Sequence, residues 1–66
     1  MRKELLLNTK QIRKEVFYTQ AKFAKELQVS IATVRGWEQG LFKPNLTQQR
    51  KLFEFCKFHN IKLWED

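Results

Sequence analysis

The sequence predicts an all-α fold of four to five short helices, and three observations lead there. Four stretches of the 66-residue chain place apolar residues at helical spacing, while no stretch alternates cleanly as a strand would. Each of the four follows an Asn, Thr or Ser suited to cap a helix, and Gly40 and Pro44 punctuate the intervals between them. Six Phe, two Trp and one Tyr supply the apolar volume that so small a domain needs, since a single cysteine excludes any internal disulfide.

The elements follow in order. Asn8 with Gln11 three residues later forms a capping box, predicting a first helix from Thr9 to Val16 or Phe17 with Ile12 and Val16 inward. Thr19 caps a second helix, Gln20 to Leu27 or Gln28, whose Phe23, Ala24 and Leu27 share one face. Ser30 caps a third, at about 31–38, with Val34 and Trp37 inward and Gly40 just past its end. Pro44 stops continuation, and Asn45 with Gln48 opens a fourth helix from Leu46 to Phe58. Its apolar set, Leu52, Phe53, Phe55, Cys56 and Phe58, is wider than one stripe requires. The tail, Ile61-Lys62-Leu63-Trp64, reads either as a last helical turn or as an extended segment.

The length bounds the chain to one domain over residues 1–66, with residues 1–7 as an N-terminal arm. Thirteen Lys and Arg against seven acids give a net charge of +6, a balance that points to a polyanion, most often nucleic acid. No run suits a membrane span or a signal peptide, so the expectation is a cytoplasmic, nucleoid-associated protein. Cys56, inside an apolar run, reads as a small buried hydrophobe in a reducing compartment. Cys56 and His59 stand three apart, but a zinc site needs three or four ligands, so no metal, cofactor or catalytic set is expected.

The second and third helices are separated only by Gln28-Val29-Ser30, the spacing of a helix-turn-helix. Ala24 is small where the two helices cross, and Leu27, Val29, Val34 and Trp37 supply apolar contacts that lock the crossing. Residues 19–44, TQAKFAKELQVSIATVRGWEQGLFKP, resemble the helix-turn-helix of the lambda-repressor-like family, also called the XRE or Cro/C1 type. Thr19-Gln20, Ala24, Leu27, Val29-Ser30, Thr33-Val34, Trp37-Glu38, Gly40 and Lys43-Pro44 carry the resemblance, which extends over about residues 8–64. It implies a compact domain that inserts its third helix into the DNA major groove as a small transcriptional regulator, usually a homodimeric repressor.

Carried over onto this chain, the resemblance places Thr19, Gln20, Ser30, Thr33, Gln39 and Lys43 against DNA phosphates, with Gln20 at a helix N-terminus suited to an anion. It pairs Arg13 with Glu38 as a structural ion pair. On the third helix, Ile31, Ala32, Arg35 and Gly36 fall on the face a groove would see, where relatives commonly carry long polar side chains. Arg35 is the one bidentate donor there, suited to guanine, while Ile31 and Ala32 suit thymine methyls. Gly36 reads either as a surface glycine or as a place of close approach to DNA, at about 1 kcal/mol relative to Ala within a helix. Gln28 departs from the family, which usually has glycine in the turn, so the turn is either mildly strained or ends differently. Most lysines are spread over several faces and read as solvated. Arg2-Lys3 either reach a minor groove or phosphate, or fray.

Two other readings compete. V-x-x-W-E-Q-G followed by basic residues and Pro is similar to strings in HigA-like antitoxins, for which Phe53, Phe55, Phe58 and Trp64 would form a toxin or dimer surface. A protein-binding module with a decayed reading helix would fit Ile31, Ala32 and Gly36.

Overall fold

A computed structural model describes residues 4–5, 8–61 and 64–65 of the chain. Four helices, α1 (Thr9–Glu15), α2 (Gln20–Leu27), α3 (Ile31–Gln39) and α4 (Leu46–Phe58), make an all-α core. A two-residue antiparallel ladder joins the ends, with β1 (Glu4–Leu5) pairing Glu4 with Glu65 and Leu5 with Trp64 of β2 (Trp64–Glu65). Of the two readings of the tail, Trp64 is therefore extended, and part of the expected N-terminal arm is a strand. Arg2 and Lys3 lie outside the described residues.

Every helix begins as its cap residue dictates. Asn8, Thr19, Ser30 and Asn45 have extended backbones, and each side chain accepts from an N–H in the first turn. Asn8 with Gln11, and Asn45 with Gln48, close full capping boxes.

The helices also end alike. A residue with left-handed backbone follows or closely follows each one: Phe17 (φ 58°), Gln28 (φ 60°), Gly40 (φ 74°) and Asn60 (φ 57°). The next residue then donates its N–H back to a carbonyl five positions earlier: Tyr18 to Arg13, Val29 to Ala24, Leu41 to Gly36, and Ile61 to Cys56. This is the Schellman arrangement, which satisfies carbonyls that a helix end leaves orphaned. Three of those donors, Tyr18, Val29 and Ile61, turn apolar surface onto the core, as the motif favours. Phe17 is also why α1 stops at Glu15 rather than at Val16 or Phe17, because a left-handed residue cannot continue a right-handed helix.

The core comprises Ile12, Phe23, Ala24, Leu27, Val34, Trp37, Leu52, Phe55 and Cys56. Phe23 and Phe55 meet edge-to-face with centroids 5.3 Å apart, and Tyr18 closes on Phe55 at 5.9 Å. Phe55 is thus a correction to the expected partner surface. It lies three residues after Leu52 and beside Cys56 on the inward stripe, whereas Phe53 and Phe58 fall off that stripe and are exposed. The side chain of Trp64 lies outside the described residues. Among the described residues, no helix is long and apolar enough to cross a membrane, and no group of three His, Cys, Asp or Glu could hold a metal ion.

Candidate nucleic-acid interface

The turn between α2 and α3 is built around Gln28. Its left-handed φ of 60° and ψ of 42° reverse the chain in the place that glycine usually fills, so the departure is absorbed as backbone strain rather than as a different helix ending. Ala24, nearly fully buried, lets α2 and α3 approach, and Val34 and Trp37 turn the inner side of α3 into the core.

Glu38 connects α1 and α2 to α3. Arg13 of α1 donates from Nε to Oε2 at 2.6 Å and from Nη2 to Oε1 at 3.1 Å, while its Nη1 reaches the Tyr18 carbonyl at 2.8 Å. Gln20, the first residue of α2, donates from Nε2 to Glu38 Oε1 at 3.0 Å. Burial by itself would push the Glu38 carboxyl upward, but hydrogen bonds from Arg13 and Gln20 and the charges of Arg13 and Lys10 outweigh it and hold the pKa below its ordinary value. The same hydrogen bond raises the Arg13 pKa against the opposing effect of burial.

The network continues outward. Arg35 Nε lies 3.5 Å from Gln20 Oε1, a long contact that leaves both terminal nitrogens of an exposed guanidinium free of it. The side-chain amide of Gln20 is therefore used on both sides, bridging Glu38 to Arg35, a role not legible from its position in sequence.

Ile31, Ala32 and Gln39 are exposed, as are Thr19, Ser30 and Lys43, while Thr33 is half-buried. Ser30 Oγ and Thr33 Oγ1 are 2.8 Å apart at the start of α3, and Thr33 N–H donates to Ser30 Oγ at 3.1 Å. Both hydroxyls are thus partly engaged in capping.

Gly36 does not stand where expected. It is buried, neither a surface glycine nor open to close approach, because the ring of Phe42 covers it. A Cβ built on Gly36 would lie 2.9 Å from Phe42 Cε1 and nearer still to Cζ and Cε2. Phe42 is a residue the sequence reading passed over. Its signal was a helical glycine followed, after the Gly40 turn, by an aromatic that folds back.

A family model described as helix-turn-helix matches residues 10–59. The comparisons with curated proteins and with solved structures find no match. With the match spanning α1 to the end of α4, and the α2–turn–α3 unit at its centre, the chain belongs to the lambda-repressor-like (XRE) helix-turn-helix family of DNA-binding regulators.

Proposed function

We propose that the chain is a sequence-specific transcriptional regulator, a repressor acting as a homodimer, that seats α3 in the major groove. In this reading residues 1–66 work as one domain, in the cytoplasm and on the nucleoid. The observation that carries it is Arg35, exposed on α3 away from buried Val34 and Trp37 and aimed by Gln20. Arg35, Ile31 and Ala32 read base edges. The α2 N-terminus at Gln20, with Thr19, Ser30, Thr33, Gln39 and Lys43, follows the phosphates. With one strong donor among small and apolar neighbours, phosphate contacts and DNA shape supply much of the affinity. The test is a fluorescence titration of a mixed pool of duplexes at two salt concentrations. Binding that falls steeply with salt supports the reading, because each phosphate contact releases counterions. A flat salt response, or none, would instead favour a decayed reading helix.

A second reading, an antitoxin that also covers a toxin, draws on α4. Phe58 is 83% exposed and Phe53 47%, more apolar surface than this small fold needs to leave open. Light scattering separates the two uses of that face. A homodimer of the lone chain that Phe58→Ser dissociates favours self-association, and a monomer favours a foreign partner.

A further inference from the structure

Gly36 has no conformational need to be glycine, since it is not among the residues of positive φ. In mid-helix it is less favourable than Ala by about 1 kcal/mol. What its missing Cβ does is make room. The Phe42 ring fills the volume a side chain at 36 would take, and even so remains 50% exposed and outside the core cluster.

We propose that Phe42, a loop residue outside the reading helix, determines specificity by presenting its ring to a thymine methyl from the place where Gly36 has no side chain. The proposal rests on α3 reading the major groove. Gly36 lies one turn beyond exposed Ala32, so the ring seated over it adds apolar surface on the Ala32 flank of Arg35, while exposed Ile31, one turn before Arg35, lies on the other flank. In the major groove the C5-methyl of thymine is the apolar feature among the base edges, and Phe is one of the side chains suited to it. The reading surface thus combines a donor fork from the helix with an aromatic from the loop that follows it.

The test begins with duplexes enriched from a random pool by the wild-type chain. Uracil then replaces thymine one position at a time, which removes a methyl and alters nothing else. The wild type is expected to lose about fourfold in affinity at one position, the worth of one buried carbon group. Phe42→Ala should lose that thymine-over-uracil preference while keeping its helical circular dichroism, and Phe42→Leu should retain part of it. Gly36→Ala, whose new Cβ displaces the ring, should behave like Phe42→Ala. It decides the matter alone if Phe42→Ala does not fold.

An unchanged thymine preference in both Phe42→Ala and Gly36→Ala would overturn the proposal and leave the methyl to Ile31 or Ala32. So would a wild type indifferent to uracil everywhere. Failure of the wild type to enrich any sequence would overturn the groove reading itself, and this proposal with it.

Discussion

Arg13 holds both oxygens of the Glu38 carboxylate, at 2.6 and 3.1 Å, with side chains only 15% and 6% exposed. Removing one partner leaves the other charge poorly solvated and strips α1 and α2 of their link to α3. Glu38→Ala should therefore destabilise the chain by about 2–3 kcal/mol, read by urea unfolding. The pair also sets a pH dependence. A carboxyl whose folded pKa is depressed adds stability above its unfolded value, near 4.5, and loses it as pH falls through the lower folded value. Wild-type Tm should drop across that acidic window, and Glu38→Gln should flatten the drop. Equal slopes in the two proteins would place the acid sensitivity elsewhere.

Arg35 and Lys43 should behave differently when shortened. Arg35→Ala removes the one guanidinium of α3 and should cost about 1–3 kcal/mol at the preferred site while relaxing one base position. Lys43→Ala should weaken all sequences alike and lower the salt slope by about one. Were operator preference intact in Arg35→Ala, the reading face would have to be reassigned.

Gln28 occupies a left-handed position that glycine reaches without steric cost. Gln28→Gly should stabilise the fold by about 0.5–1 kcal/mol, because relief of that strain exceeds the added freedom of the unfolded chain. Phe17 has the same backbone and is 93% exposed, so Phe17→Gly should stabilise similarly. Denaturant midpoints that stay put or fall in both variants would show that the turns are not strained.

Cys56 is 1% exposed, and burial pushes its thiol up to about 11. It should remain protonated and resist alkylation at pH 8 in the folded chain, and react rapidly in denaturant. Comparable labelling rates in the two states would mean that α4 opens readily.

The start of every helix was legible because a capping hydrogen bond joins residues three apart, so Asn8, Thr19, Ser30 and Asn45 announce themselves. The ends of α2 at Leu27 and of α4 at Phe58 fell where the sequence placed them, but residue type announced the left-handed residue only at Gly40. Phe17, Gln28 and Asn60 adopt the same backbone because their apolar successors are drawn onto the core. Among candidate site residues, the outward placement of Arg35, Ile31 and Ala32 followed from helical period alone.

Grouping Phe55 with the other aromatics of α4 misassigned it, since it shares the inward stripe with Leu52 and Cys56 and meets Phe23 from another helix. Periodicity could not give Gln20 its bridge from Glu38 to Arg35, which joins α2 to α3. Nor could it foresee Phe42 over Gly36. The sequence by itself determined the helices, their caps and the family, all carried by interactions within a few residues. Only the tertiary structure decided that Phe42 covers Gly36 and that Gln20 joins Glu38 to Arg35, because a loop or a second helix meeting α3 depends on contacts that local spacing does not encode.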